Sequence, residues 1–306
     1  LWVAIADVAH YIEPETLLDE EAQARATSVY LPHAVLPMLP SRLSDDLCSL
    51  RAKVPRLAMT VSMEIEDDWT IGKVSAFESI IEVRENLSYD DALENPRFKH
   101  MMDLAEGLRQ NEIRLNLNSA ELRPRVDDDE ISVNVKWPNK ATKMIETFMV
   151  ATNNSIGIML GKEKAPLPWR SHAPPDAPEV EELNAKFEAM EIDIELPMPS
   201  VKKFGQSEET ELASMLGDWA QGGNIQISGL EVSDDQDEVP QYLKHVLDPE
   251  ARKDILISLQ EAQEKASNLE NATRRVVDHG LFYLLQRAVY SPDNLGHFGL
   301  NLDAYV

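Results

Sequence analysis

Residues 56–84 read RLAMTVSMEIEDDWTIGKVSAFESIIEVR, and they predict the β-structure around which the chain folds. In 56–65 apolar side chains occupy every second position, which is typical of a half-buried strand. One face carries Leu57, Met59, Val61, Met63 and Ile65, and the other carries Ala58, Thr60, Ser62 and Glu64. The segment EDDWTIG supplies a turn before a second strand over 72–84. The whole stretch therefore predicts a β-hairpin.

The elements outside this hairpin predict an α+β class. The apolar run WVAIADV at 2–8 predicts a buried strand, and the alternation at 131–137 predicts another. Prolines make 31–50 largely loop and 165–178 a connector, and the acidic segment 229–240 predicts an exposed loop. Helices are expected at 17–27, 88–94, 97–118, 140–161 (ending at Gly161), 178–190, 208–220, 250–277 and 280–290. Strands come early and helices late, which favours α+β.

Composition excludes several classes of protein. The 306 residues contain no apolar run of about 18, so no membrane-spanning helix is expected. The start has no basic n-region and no cleavage site, so it is not a signal peptide. It also lacks Met and lies inside a predicted strand, and we expect an internal piece of a longer protein. The single cysteine, Cys48, excludes a disulfide framework and a cysteine zinc site, and it favours a reducing compartment, the cytoplasm.

The formal net charge of −25 disfavours a non-specific nucleic-acid coat protein, because phosphates would be repelled at long range. It still allows a narrow channel lined locally by Lys and Arg. The simplest interpretation of the charge is an outer surface adapted for solubility or high salt.

Common catalytic motifs do not occur in this sequence. GxGxxG, the P-loop, HExxH and GxSxG are all missing. His10, His172 and His297 could form a metal site, but satisfied core or loop histidines are the favoured interpretation. The adjacent Asp45 and Asp46 could bind a metal, but after Ser44 a helix cap is favoured.

Six segments of unusual composition occur in a fixed order along the chain. They are IADVAHYI at 5–12, SVYLPHAVLPMLPSRLSDDLCSL at 28–50, NLSYDDA at 86–92, MIETFMVATN at 144–153, WRSH at 169–172 and YSPDNLGHFGLNLDAY at 290–305. Together they resemble the RNB (ribonuclease II) family of processive 3′-to-5′ exoribonucleases. The resemblance covers 1–172 and 281–306 well and 195–280 poorly, so 195–280 is a possible insertion in one partial catalytic domain.

The resemblance also implies what lies outside this sequence. The family's Mg²⁺-binding aspartates would precede Leu1, and its catalytic arginine block would follow Val306. We therefore expect no catalytic residue within the chain, a Mg²⁺ cofactor held mainly by residues outside it, and an inactive isolated fragment. The sequence does not indicate an oligomeric state.

Three residues match family positions that contact RNA. Tyr30 matches a tyrosine that stacks near the 3′ end, with a core tyrosine as the alternative interpretation. Tyr89 and Glu146 match positions near the terminal ribose, where a phenol and a carboxylate could recognise a 2′-hydroxyl. Sequence alone makes Glu146 a solvated helix residue, although its neighbours Ile145 and Phe148 suggest a buried edge.

The remaining candidates are expected to shape the site rather than react. Asp7 lies in a predicted apolar strand, where a carboxylate needs a partner, so a structural role is favoured over direct metal ligation. His10 could serve the same structural role around the site as Asp7. Asn153 ends its motif on the apolar helix and is a candidate to hydrogen-bond the loops of the RNA channel. The others belong to family segments without an assigned role: Arg170, His172, Asn294 and His297.

These observations predict a hydrolase that binds single-stranded RNA and releases nucleoside 5′-monophosphates in the full-length protein. The alternative is a non-catalytic RNB homologue that acts as an RNA-binding or assembly module. The sequence just upstream of Leu1 would discriminate, since a spaced aspartate cluster there supports the enzyme. An acidic protein-interaction domain without an RNA role fits the charge but leaves the six segments unexplained.

Overall fold

The computed structural model describes residues 1–110, 113, 121–127, 130–198, 249–285 and 287–306. The chain divides into two compact units. The first comprises Leu1–Glu112, Asn116–Trp169 and Ala304–Val306, and the second comprises Ile113–Leu115 and Arg170–Asp303. The predicted helix at 208–220 and the predicted loop at 229–240 lie outside the described residues.

The first unit combines strands and helices. Its strands are β1 (Trp2–Ala6), β2 (Val29–Tyr30), β3 (Val35–Leu36), β4 (Pro55–Ile65), β5 (Ile71–Glu82), β6 (Glu121–Asp127) and β7 (Glu130–Lys136). Its helices are α1 (Leu17–Arg25), α2 (Tyr89–Glu94), α3 (Lys99–Gln110) and α4 (Lys140–Lys162). The predicted strands at 56–65, 72–84 and 131–137 and the helix at 140–161 are confirmed to within a few residues. In the part of the chain that the structure describes, no helix is both long and apolar enough to cross a bilayer.

Strands β1, β4 and β5 form an antiparallel sheet in that order, which confirms the hairpin. β4 is the central strand, and buried residues lie on both of its faces: Val61 and Met63 on one side, and Ala58 and Thr60 on the other. The half-buried prediction is therefore wrong for this strand. The prediction that 2–8 forms a buried strand is also wrong, since β1 is an outer strand and Trp2 is 72% exposed.

Helix α4 organises the first unit. Asn139 caps it, accepting hydrogen bonds from the N–H groups of Ala141 and Thr142, both at 3.0 Å. The helix packs against α3 and against the sheet. The helix continues one residue past its predicted end at Gly161, to Lys162. Gly161 instead makes room for an indole: a Cβ there would lie 3.0 Å from the ring of Trp169.

Strand β6 was not predicted from the sequence. It pairs antiparallel with β7, from Glu121 opposite Lys136 to Asp127 opposite Glu130. Pro124 interrupts the apolar pattern of this segment, which explains why periodicity did not predict it. The predicted helix at 97–118 begins as a 3₁₀ turn, Pro96–Phe98, and continues as α3 (Lys99–Gln110). The rest of that prediction, apart from residue 113, lies outside the described residues.

The second unit is mainly helical. It contains β8 (Trp169–Ser171, beginning at the last residue of the first unit), α5 (Ala177–Ala189), α6 (Pro249–Ser267), α7 (Asn271–Leu284) and β9 (Val289–Ser291). Strands β8 and β9 pair within the segments predicted as a connector and as a helix. The predicted helices at 250–277 and 280–290 are wrong in their boundary, because the helical break falls at 268–270. The α+β class is confirmed.

Candidate functional site

Tyr30 lies on a tight hairpin formed by β2 and β3, where it pairs with Val35. The turn is closed by the Leu31 N–H, which donates to the Ala34 carbonyl at 2.8 Å. Arg25 holds the base of the hairpin by donating from Nη1 to the Pro37 carbonyl at 3.1 Å. The Tyr30 side chain is 78% exposed, so the alternative interpretation of a core tyrosine does not fit this structure.

Tyr89 is the first residue of α2, whose start is fixed by a capping box. Ser88 Oγ accepts from the Asp91 N–H at 3.1 Å and donates to Asp91 Oδ2 at 2.6 Å. The bond from Ser88 lowers the pKa of Asp91 below its ordinary value. Tyr89 is 42% exposed, and Lys136 Nζ lies 5.6 Å from the centre of its ring.

Glu146 lies on α4, where its carboxylate is 3.7 Å from Arg109 Nη1 of α3. Its side chain is 55% exposed and that of Arg109 is 12% exposed. Ile145 is also exposed and Phe148 is buried, so the expected buried edge at Glu146 is wrong. Helix α2 packs against α4, so Tyr89 and Glu146 lie on neighbouring helices, and their joint recognition of a ribose stays a prediction.

Asp7 lies one residue beyond β1, not inside it as predicted. Its N–H donates to the Leu57 carbonyl at 3.2 Å, and its Oδ1 accepts from the His10 N–H at the same distance. Burial, and then the charge of Asp7, raise the pKa of the Cys48 thiol. The Asp7 carboxylate is thus satisfied locally by a turn, and the His10 ring is exposed.

Asp45 and Asp46 do not cap a helix, which corrects that prediction. Both lie within a π-helical turn, Arg42–Leu47. Asp45 accepts from Ser44 Oγ at 2.9 Å, and Asp46 forms an ion pair with Arg56 at 2.7 Å. The ion pair between Asp46 and Arg56 therefore fixes this turn to the start of β4.

The described residues do not fit a Mg²⁺ site. No three His, Cys, Asp or Glu side chains converge to hold a metal in the ranges that the structure describes. Direct metal ligation by Asp7, the less favoured interpretation, therefore has no support among the described residues. Asn153 is half-buried on α4, and its role stays a prediction.

The second unit contains a stacked pair of histidines. The rings of His172 and His297 lie 4.8 Å apart and 27° from parallel. His172 Nδ1 accepts from the Gly299 N–H at 2.9 Å, and His297 Nδ1 accepts from the Leu300 N–H at 3.3 Å. Burial first, and then the proximity of His172, lower the pKa of His297 to about 3. Both imidazoles thus accept hydrogen bonds from the backbone of their own unit, and their expected role in shaping the site stays a prediction.

Two further residues of this unit also fix the late family segment. Asn294 Nδ2 donates to the Asp303 carbonyl at 2.9 Å, and its Oδ1 accepts from the Gly296 N–H at 3.2 Å. The Arg170 guanidinium lies 5.0 Å from the ring centre of Tyr290. Both contacts lie within the second unit, and the expected role of Asn294 and Arg170 in shaping the site stays a prediction.

Sequence reasoning missed the partners of the first-unit candidates. Lys136 faces Tyr89, Arg109 pairs with Glu146, and Asn139 Nδ2 donates to Asp90 Oδ1 at 3.2 Å. These partners come from distant segments, and no local motif distinguishes them. Asn139 carries one detectable signal, because it stands directly before the apolar helix as an N-cap residue.

Comparison with known proteins identifies the family. Residues 1–306 match the RNB domain. Ribonuclease R of Mycoplasmopsis pulmonis is 32% identical over 230 residues, which cover 68% of this chain and 31% of that protein. The chain thus spans about a third of the length of such curated relatives.

Solved structures share the fold. Mycoplasma genitalium RNase R in complex with ribose methylated single-stranded RNA matches with a TM-score of 0.71 and 23% identity, over 100% of this chain and 42% of that one. Its complex with double-stranded RNA matches with a TM-score of 0.66, 22% identity and coverage of 100% and 48%. Yeast Ssd1, described as a pseudonuclease, matches with a TM-score of 0.62, 15% identity and coverage of 100% and 33%. With the RNB domain matched from its first residue to its last, the chain belongs to the RNB family.

Proposed function

We propose that this chain binds single-stranded RNA and forms part of an RNB catalytic domain. In the complete protein that domain hydrolyses RNA from the 3′ end and releases nucleoside 5′-monophosphates. The observation that carries the proposal is the exposure of Tyr30, which is 78% accessible on a hairpin of its own. An enzyme that ignores sequence must hold bases by stacking, and an exposed aromatic ring offers a surface for any base.

The arrangement of α2 and α4 supports a preference for RNA over DNA. Tyr89 and Glu146 lie on these packed helices and offer a phenol and a carboxylate. A 2′-hydroxyl is both donor and acceptor, so it can satisfy both groups. Related Mycoplasma genitalium RNase R has been solved with single-stranded and with double-stranded RNA, and the single-strand preference is part of our proposal.

Hydrolysis in this proposal depends on Mg²⁺ and on residues that the family resemblance puts outside the chain. The purified 306-residue chain should therefore bind labelled single-stranded RNA without releasing mononucleotides in Mg²⁺. The complete protein should release them in the same buffer. Mononucleotide release by the chain above a mock preparation would refute the expected inactivity, and an absence of RNA binding would refute the proposed function.

A non-catalytic RNB homologue is the second candidate. The match to yeast Ssd1 supports this second candidate, because a protein described as a pseudonuclease shares this fold. A binding module would retain RNA without degrading it, even as the complete protein. The two functions are separated by incubating the complete protein with labelled RNA and Mg²⁺, and by inspecting the sequence upstream of Leu1 for a spaced aspartate cluster.

A further inference from the structure

The junction between β7 and α4 lies against the start of α2. Lys136, the last residue of β7, places its ammonium 5.6 Å from the ring centre of Tyr89. Three residues later, Asn139 caps α4 and also donates to Asp90 at 3.2 Å. The Lys136–Tyr89 contact and the Asn139–Asp90 hydrogen bond therefore both join the β7–α4 junction to the start of α2. The helix cap fixes the backbone of the junction, so the position of Lys136 relative to Tyr89 is set by the fold.

Trp137 follows directly and is 62% exposed. The apolar side chains of the adjacent hairpin are exposed as well, with Val133 at 55%, Val135 at 54% and Leu122 at 64%. Leu122 pairs with Val135 across the two strands, so these residues share one face. An indole with this exposure contributes little to the core of the unit, whereas its flat apolar surface suits stacking against a base.

Two carboxylates, Asp90 and Asp91, lie at the start of α2 beside Tyr89. Asp90 accepts from Asn139, and Asp91 is held in the Ser88 capping box. Both carboxylates therefore serve local structure, but their charge repels RNA phosphates. In a chain of net charge −25, RNA approaching Tyr89 requires a cation at this place. Lys136 supplies one.

We propose that Lys136 and Trp137 extend the RNA site beyond Tyr89. Lys136 binds a backbone phosphate next to the ribose that contacts Tyr89, and Trp137 stacks on a neighbouring base. This inference rests on the proposed function, because the role of Tyr89 at the ribose comes from the family resemblance. It adds a phosphate contact and a stacking platform from a segment outside the six family motifs.

Salt dependence of binding tests the phosphate contact. Fluorescein-labelled oligouridylate is titrated with the 306-residue chain in EDTA at several KCl concentrations, and anisotropy gives the Kd. Each phosphate contact to a single strand contributes about 0.7 to the slope of log Kd against log salt. Lys136→Gln should lower that slope by roughly 0.7. The matched control Lys73→Gln, which removes an exposed lysine of β5, should leave it unchanged, and Lys136→Arg should keep the wild-type slope.

Truncation of the indole tests the stacking contact. Trp137→Ala should raise the Kd roughly 5- to 150-fold, the worth of one base–aromatic stack, without changing the salt slope. Trp137→Phe should recover most of the affinity. The control Trp2→Ala removes an indole that is 72% exposed elsewhere in the same unit and should leave the Kd unchanged. Circular dichroism confirms that each variant is folded.

The outcomes separate this inference from the proposed function. If Tyr30→Ala and Tyr89→Ala weaken binding while folded Lys136→Gln and Trp137→Ala do not, the extended site is wrong and the proposed function stands. If the wild-type chain does not bind the oligonucleotide, both are wrong. Equal losses in the Lys136→Gln and Lys73→Gln variants would show a general charge effect and would overturn the phosphate contact.

Discussion

The candidate RNA-binding residues of the first unit and the paired histidines of the second unit differ in exposure. In the first unit, Tyr30 and Tyr89 have exposed rings, and the Glu146 carboxylate is more than half exposed. In the second unit, His172 is buried and stacked on His297, and both Nδ1 atoms accept hydrogen bonds from backbone N–H groups. The family resemblance predicted RNA contacts for the first three and gave the two histidines no role beyond shaping the site. Exposure and hydrogen bonding divide them into groups that can meet a ligand and groups that stabilise the fold.

The largest effect should come from the stacked histidine pair. In His172→Ala the Gly299 N–H loses its acceptor and a stacked ring is removed, so the free energy of unfolding should fall by about 2–4 kcal/mol. Urea denaturation measures this change. The control His10→Ala removes an exposed ring and should change stability by less than about 0.5 kcal/mol. If His172→Ala and His10→Ala lower the free energy of unfolding equally, the buried and exposed residues do not differ in their contribution to stability.

Acid should destabilise the chain through His297. Its folded pKa is about 3, whereas the ordinary value is 6.5. Between these values the unfolded chain binds a proton that the folded chain does not, so the stabilising contribution is complete above about pH 6.5 and falls as the pH decreases. Between about pH 7 and pH 5 the loss should be about 2 kcal/mol.

Carboxylates titrate in part of this window, so the measurement is a difference between variants. His297→Asn keeps an acceptor near the position of Nδ1 and does not titrate. Urea unfolding of wild type and variant at each pH isolates the histidine. If the two proteins lose the same stability on acidification, His297 is not the group that resists protonation.

Tyr30→Ala should weaken binding of single-stranded RNA by roughly 1–3 kcal/mol, because one base–aromatic stack is lost. Stability should stay within about 0.5 kcal/mol, since the side chain is exposed. Anisotropy measures binding, and in the complete protein the final undegraded product should become longer. Tyr283→Ala, which removes an exposed tyrosine of the second unit, serves as the control. An unchanged Kd for Tyr30→Ala would contradict the proposal that Tyr30 stacks on a base.

The smallest effect should be on sugar discrimination. Tyr89→Phe or Glu146→Gln removes one hydrogen-bonding group from the predicted ribose site, so the RNA-to-DNA ratio of affinities should fall roughly fivefold, the worth of about 1 kcal/mol. Unfolding would lower both affinities together, whereas loss of discrimination changes their ratio. A wild-type ratio in folded Glu146→Gln would show that Glu146 does not contact the sugar.

Local chemistry made much of the fold predictable. The alternation in 56–65 and the turn that follows predicted the β4–β5 hairpin, because strand side chains alternate with a period of two. The apolar run at 140–161 predicted α4, because its apolar residues recur with the period of a helix. The burial of β4 on both faces was not predictable, since it depends on neighbours from distant parts of the chain. Strand β6 was missed because pairing with β7, and not its own apolar pattern, forms it.

The family segments named Tyr30, Tyr89 and Glu146 as candidates, and their contacts with RNA stay a prediction. The family itself is confirmed. Their partners Lys136 and Arg109 were missed, because they belong to segments without a recognised motif.

The sequence by itself determined the family, the α+β class and the helices and strands with a strong period, because each follows from residue order over a short stretch. Only the tertiary structure decided which motif residues are exposed. Tyr30 is exposed because a two-residue strand pairing holds it on a small hairpin, whereas His172 and His297 are covered because loops distant in sequence meet around them. The burial of a side chain and its hydrogen-bond partners depend on contacts between distant segments, and a local sequence pattern does not predict those contacts.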